Sequence, residues 1–159
     1  MIVAESTTII RAMTVKELPL CLPFGEAFMQ EKHIPGVFNP DVFLKNWTTF
    51  LTSYPAAIFG LWKDEQLIGG IGGMIHPDLN TGQRIAVEFF WYVGHEHRHT
   101  IGSIKLVRRW KRWAKENGAV RWRMIHLLDV DETASSVKLA SFYEKQGLRP
   151  IEVGFDGPL

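Results

Sequence analysis

The sequence predicts an α/β (α+β) fold, a mixed and centrally antiparallel sheet flanked by helices. Three observations predict it. Apolar runs of strand length follow one another at 56–63, 66–75 and 84–93 with only short polar connections between them. Segments of helical period lie before and after that block. No internal repeat, low-complexity tract or Ser/Gly linker interrupts the 159 residues, so one domain spanning 1–159 is expected, long enough to bury a substantial core.

The elements follow in order. "TTIIRAM" (7–13) reads as a first strand. From Thr14 to about Lys32 the pattern is helical but interrupted, because Pro19 and Pro23 each break or restart a helix. "HIPGVFNP" is a loop, and "NPDVFLKNWTTFLTS" is a helix capped by Asn39 with Pro40 in its first turn. "AAIFGLWK" and "QLIGGIGGMI" are strands around the turn Asp64-Glu65, and "HPDLNTGQ" leads into a third, "RIAVEFFWYV". Ile101 to Asn117 carries apolar residues at 106/107, 110 and 113/114, with Gly118 placed to end the helix. "VRWRMIHLL" (120–128) reads as a strand, a helix near 134–146 is stopped by Gly147, and "RPIEVGF" closes the layout as a short strand.

Composition excludes some classes of function. With 46% hydrophobic and 22% charged residues the chain is an ordinary globular protein. A net charge of +1 gives no global attraction to nucleic acid or to an anionic membrane, so neither is expected as a partner. No apolar run approaches the roughly 18 residues needed to span a bilayer. "MIVAESTTIIRAM" lacks a basic segment followed by an apolar block, so a cytoplasmic protein is expected. The single cysteine, Cys21, has no partner for a disulfide or zinc knuckle and reads as a buried small hydrophobe.

The stretch "YVGHEHRHTIGSIKLVRRW" (92–110) carries most of the chemistry. Held extended, His95, His97 and His99 would project on one side, the start of a metal site. Against this, the chain must turn into a helix at 99, and no further ligand stands at recognisable spacing; a solvated histidine-rich loop is the plainer alternative. The backbone offers a different site. A loop that leaves a strand and enters a helix at His99-Thr100-Ile101-Gly102-Ser103 aims unpaired N–H groups at one spot, with the positive end of the helix dipole behind them. That suits a phosphate, with Gly102 allowing close approach and Arg98 adding charge. The glycines of "IGGIGGMI" lack the G-x-G-x-x-G spacing of a dinucleotide loop and read as a strand permitting close approach. Lys105, Arg108, Arg109, Lys111, Arg112 and Lys115 give the following helix a basic outer face, opposite a core stripe containing Trp110 and Trp113.

The order of elements, with "YVGHEHRHTIGSIKLVRRWKRWAKENGA" and "SSVKLASFYEKQGLRP", resembles the GCN5-related N-acetyltransferase (GNAT) family from about residue 8 to 155. That family carries V-x-P-E-x-R-G-x-G-I-G-S, matched here by Val93, Glu96, Arg98, Ile101, Gly102 and Ser103. Its later pattern N-x-x-A-x-x-F-Y-E-K-x-G-F is met by Ser136, Phe142, Tyr143, Glu144, Lys145, Gly147 and Leu148. The departures are His95 for proline, a "RHTIGS" turn one residue shorter with one glycine retained, and Ser136 at the asparagine position. The resemblance implies a GNAT-like fold with acetyl-CoA as acyl donor. Its pyrophosphate would lie on the loop formed by Arg98, His99, Thr100, Ile101, Gly102 and Ser103. The backbone of Tyr92 and Val93 would meet the pantetheine arm, and Ser136 would also contact the cofactor.

The strand 84–93 would line the cleft and carry the catalytic base. Glu88, its only acid, is the candidate, with a pKa raised by partial desolvation; an ion pair to Arg84 or Arg121 is the alternative. Tyr143 would protonate the leaving thiolate, with a packed core tyrosine as the alternative. The implied reaction is direct acetyl transfer to a primary amine of a small molecule or peptide, with the interrupted helices and "KHIPGVFNP" bordering the acceptor pocket. A homodimer stays open. The competing readings are a catalytically impaired binding module of the same fold and a histidine-rich metal protein; no metal ligand is expected among the site residues.

Overall fold

The three apolar runs do form a meander. In the computed structural model, which describes residues 7–127, 133–152 and 154–159, β2 (Ala56–Lys63), β3 (Gln66–Pro77) and β4 (Arg84–Val93) pair antiparallel in sequence order. β1 (Thr8–Ala12) adds antiparallel to β2, and β5 (Arg121–Arg123) adds parallel to β4, giving a mixed five-stranded sheet in the order β1-β2-β3-β4-β5. Asp64 and Glu65 both sit at positive φ (48° and 66°), the two-residue turn whose twist suits a hairpin. At the other hairpin Asp78 folds the chain back, its carboxylate accepting the amides of Asn80 and Thr81 at 3.0 Å each.

The two prolines divide the first helical segment as expected. A 3-10 turn, Val15–Cys21, contains Pro19, and α1 (Leu22–Glu31) starts with Pro23 in its first turn. α2 (Pro40–Ser53) begins where Asn39 accepts the Val42 amide at 3.1 Å. α3 (Ile101–Glu116) is followed by Gly118 at φ 81°. These elements belong to one compact unit, Met1–Ile125. A second unit, His126–Leu159, holds α4 (Thr133–Lys145), ended at Gly147 with φ 84°. Among the described residues no helix is long and apolar enough to cross a membrane.

Two adjacent glycines of β3 set how helices meet the sheet. A Cβ on Gly72 would lie 3.0 Å from the Trp47 ring of α2, and one on Gly73 would lie 2.8 Å from the Trp110 ring of α3. Successive residues face opposite sides of a strand, so this pair admits one large indole on each face of the sheet. The close approach expected of "IGGIGGMI" is made by these tryptophans. Trp110 is fully buried and stacks on Trp113, ring centroids 4.9 Å apart, so the core stripe of α3 is as expected. Burying a side chain of this size contributes about 1.5–3 kcal/mol or more.

Two expected strands differ from the sequence reading. The run 120–128 is extended in register only over Arg121–Arg123, and 124–127 carry no strand; Leu128 lies outside the described residues. The cause is β4: its pairing with β5 ends at Val87–Arg123, and the next backbone amide in reach, that of Ile125, is taken by the Glu88 carboxylate at 2.8 Å. The run 149–155 forms no strand at its described residues. Pro150 has no amide hydrogen for a ladder, and Ile151 and Phe155 are exposed, so no apolar face is buried there.

Candidate active site

The site starts from one extra residue. Gly72 pairs with Phe90 and Gly73 with Glu88, which leaves Phe89 unpaired as a β-bulge in β4. Cross-strand partners share a face of the sheet, so Glu88 lies with Gly73 on the α3 side and Phe90 with Gly72 on the α2 side. Without Phe89, residues 88 and 90 would fall on the same face. The bulge therefore sends the carboxylate one way and two phenyl rings the other: Phe89 and Phe90 both approach Trp47 of α2, at 6.1 and 5.3 Å between centroids.

Glu88 is 3% exposed. Burial pushes its pKa up to about 8, and the hydrogen bond from the Ile125 amide draws it back only in part. Neither arginine weighed as an ion-pair partner fills that role, since Arg121 pairs with Asp78 at 3.2 Å and the described partner of Glu88 is a backbone amide. A carboxyl with a pKa close to the working pH can both accept and return a proton.

Beyond β4 the Gly94 amide donates to the Ile68 carbonyl at 2.9 Å and the chain enters a 3-10 turn, His95–His97. The three histidines are thus not on one strand face, and among the described residues no cluster of three His, Cys, Asp or Glu is gathered for a metal. His99 has φ 61°, the left-handed conformation that a glycine would adopt without cost. Thr100 precedes α3 in extended geometry, yet its hydroxyl donates backward to the His97 carbonyl at 2.8 Å and does not cap the helix. The Ser103 amide donates to the Thr100 carbonyl at 3.1 Å, so among the first-turn amides those of Ile101 and Gly102 remain at the positive end of the 16-residue helix. That arrangement fits an anionic group.

Other loop residues take different places. The missing Cβ of Gly102 would point at the Leu61 methyls, 3.2 and 3.3 Å away, so this glycine lets α3 pack on β2. Ser103 is buried and Ile101 is mostly exposed. Arg98 folds back: Nε donates to the Val93 carbonyl at 2.7 Å and Nη2 to Glu31 at 2.6 Å. Of the expected basic face of α3, Arg109 lies over the Phe59 ring at 4.3 Å, and the Lys111 ammonium lies 5.1 Å from the Trp122 ring.

Glu31, at the end of α1, was not legible from sequence. It accepts from the Tyr92 hydroxyl at 2.7 Å and from Arg98, and lies 3.0 Å from His95 Nε2. Arg98 can only donate, so His95 Nδ1 accepts from it at 3.2 Å and the Nε2 hydrogen faces Glu31. Burial pushes the Glu31 pKa up, but the hydrogen bonds from Arg98 and Tyr92 outweigh it and hold the group below the usual carboxylate range. Tyr92 is pushed up, first by burial and then by Glu31. The cluster ties the loop after β4 to α1 across 61 and 67 residues of chain, with no local motif to announce it.

A cavity of about 270 Å³ opens between α1, α2 and β4. Phe24 and Phe28 of α1, Phe43 and Phe50 of α2, and Phe89 and Tyr92 of β4 supply much of its wall. Cys21 also lines it; burial pushes that thiol up to about 12, and it sits against Met13 Sδ at 3.7 Å. It is no nucleophile at neutral pH.

In the second unit Tyr143 is 8% exposed, with its ring 5.9 Å from Phe142 and 6.3 Å from His126 between centroids. Its carbonyl accepts the Leu148 amide at 3.1 Å, closing the turn after α4. Ser136 falls on α4, and its side chain lies outside the described residues.

The chain is similar to known proteins over most of its length. The family model described as acetyltransferase (GNAT) family matches residues 24–148. Among solved structures, a predicted acetyltransferase with acetyl-CoA from Clostridium acetobutylicum is similar with a TM-score of 0.74 at 12% identity, covering 96% of each chain. A ribosomal-protein-alanine N-acetyltransferase from Brucella melitensis is similar with a TM-score of 0.73 at 18% identity, covering 96% of this chain and 99% of that one. Glucosamine-6-phosphate N-acetyltransferase from Arabidopsis thaliana gives 0.65 at 14% identity, covering 96% and 98%. No curated protein matches the sequence significantly.

Proposed function

The chain belongs to the acetyltransferase (GNAT) family, and on that premise we propose that it transfers an acetyl group from acetyl-CoA to a primary amine by direct attack in a ternary complex. The observation that carries the reading is Glu88, the one buried carboxyl among the described residues, which accepts the Ile125 amide and whose pKa burial pushes up to about 8. A primary amine of pKa ~10.4 is neutral in only about one molecule in a few thousand at pH 7. The attacking nitrogen must lose a proton, and Glu88 takes it, directly or through one water.

Acetyl-CoA supplies the acetyl group as an activated thioester. Its pyrophosphate would lie on the loop formed by His99, Thr100, Ile101, Gly102 and Ser103, where the Ile101 and Gly102 amides at the start of α3 favour negative charge. The family resemblance implies that Tyr92 and Val93 would meet the pantetheine arm and that Ser136 would also contact the cofactor. Arg98 acts by holding the loop to Val93 and Glu31, and so keeps the amides of the next residues in place. Tyr143 gives a proton to the departing sulfur; the support here is its place in the F-Y-E-K-x-G pattern on α4. The acceptor does not follow from the similar structures, whose own names span a ribosomal-protein alanine and a sugar phosphate.

Isothermal calorimetry with acetyl-CoA, followed by thiol release in the presence of amines, tests the proposal. Saturable binding and amine-dependent release of coenzyme A thiol are expected. No binding at millimolar acetyl-CoA would leave a binding module of the same fold and remove the catalytic reading.

A further inference from the structure

Resting on the acetyltransferase reading, we infer that the acceptor is a primary amine carrying an aromatic or branched aliphatic group, and that this group occupies the cavity between α1, α2 and β4. The volume of about 270 Å³ equals roughly nine waters at ~30 Å³ each, far more than the voids of a packed interior. An aromatic ring with a short linker fills such a space. Among the described residues no charged side chain lines it, and Asn46 supplies its only side-chain amide. Asn46 is exposed on α2.

The tyrosine of the wall adds little polarity, because the Tyr92 hydroxyl is already given to Glu31 at 2.7 Å. The ring is what Tyr92 offers, beside Phe24 at 5.6 Å between centroids. Phosphosugars, aminosugars and polyamines would bring charges and hydroxyls into a wall with almost nothing to pair them, which a site of this kind rejects.

The position of the cavity follows from the bulge. Phe89 and Phe90 reach it as consecutive residues of β4, on the face of the sheet opposite the Glu88 carboxyl. The rings are braced rather than loose: Phe89 meets Phe50 at 5.7 Å and Phe90 meets Trp47 edge-on at 5.3 Å. A preformed apolar wall selects by burial of matching surface.

The test measures kcat/KM for phenethylamine, isopentylamine, putrescine and glucosamine 6-phosphate, and in parallel the binding of each amine to cofactor-free protein by saturation-transfer NMR. The first two are expected to exceed the others by about tenfold or more in both readouts. Straight-chain amines should gain about fourfold per added methylene until the cavity is full. Met29→Trp, which fills the cavity from α1, should reduce both readouts for phenethylamine by about tenfold while acetyl-CoA affinity stays unchanged. Preference for the charged acceptors, or full activity of a folded Met29→Trp, overturns the assignment of the cavity and leaves the acetyltransferase reading in place. Binding of the apolar amines to protein that neither binds acetyl-CoA nor turns over upholds the cavity and removes the catalytic reading. Should Met29→Trp fail to fold, the amine series on the unaltered protein decides.

Discussion

Replacing Glu88 by Gln keeps the shape of the side chain and an oxygen for the Ile125 amide, and removes the proton acceptor. With a pKa of about 8 the carboxylate fraction is about 9% at pH 7 and about 91% at pH 9. The wild-type rate should therefore rise roughly tenfold over that interval through Glu88 alone. The acceptor amine also deprotonates with rising pH, so the profile is measured with two amines of different pKa; only the amine's own limb moves between them. In the Gln variant the limb near 8 should vanish, kcat should fall by about 10²–10⁴, and acetyl-CoA affinity should change little.

The same shift predicts stability. Glu88 goes from 4.5 to about 8 on folding, so the folded state binds the proton more tightly, and the stabilisation from the protonated form is complete below 4.5 and lost as pH rises through 8. Between pH 6 and pH 9 the wild type should lose about 3 kcal/mol relative to Glu88→Gln, read from urea midpoints at the two values. A Gln variant with wild-type rates across pH, or parallel stability profiles for the two proteins, would refute both the base role and its physical cause.

Tyr143→Phe should lower kcat more than KM for the amine, and wild-type turnover would pass the proton donation to another group. That group is not Tyr92 as long as its hydroxyl stays bound to Glu31. Gly73→Ala sets a Cβ 2.0 Å from the Val87 carbonyl and 2.8 Å from both the Glu88 Cα and the Trp110 ring, so about 3 kcal/mol should be lost. Thermal melting should show that as a fall of roughly 6–12 °C; an unchanged midpoint would contradict the register. His99→Gly releases a left-handed non-glycine backbone at φ 61° and should stabilise by about 1 kcal/mol, read as a raised urea midpoint. Tighter acetyl-CoA binding in that variant would show that the strain also limits the loop's fit to the cofactor.

Much of this architecture is written in period and punctuation. Apolar runs with two-residue and Asx turns between them suffice for the meander, because a short turn pairs β2 with β3 and β3 with β4 antiparallel. Asn39-Pro40, Gly118 and Gly147 mark helix ends through local capping and backbone preference, which need no distant partner. Strand β5 failed this kind of reading: its length depends on what β4 offers as a partner, and β4 stops offering backbone groups at Val87.

The candidate site divides along the same line. By itself the sequence singled out the candidates, Glu88 as the sole acid of its strand and the Thr-Ile-Gly-Ser step that opens α3, since residue type and helix onset are local properties. Only tertiary structure decided where they point. The single unpaired Phe89 sends Glu88 toward α3 and two phenyl rings toward α2. The carboxylate of Glu31, 67 residues away in sequence, turns Arg98 from a free charge into a clasp on Val93. A bulge and a long-range ion pair are fixed by pairing energies between distant segments, and a linear pattern contains no term for them.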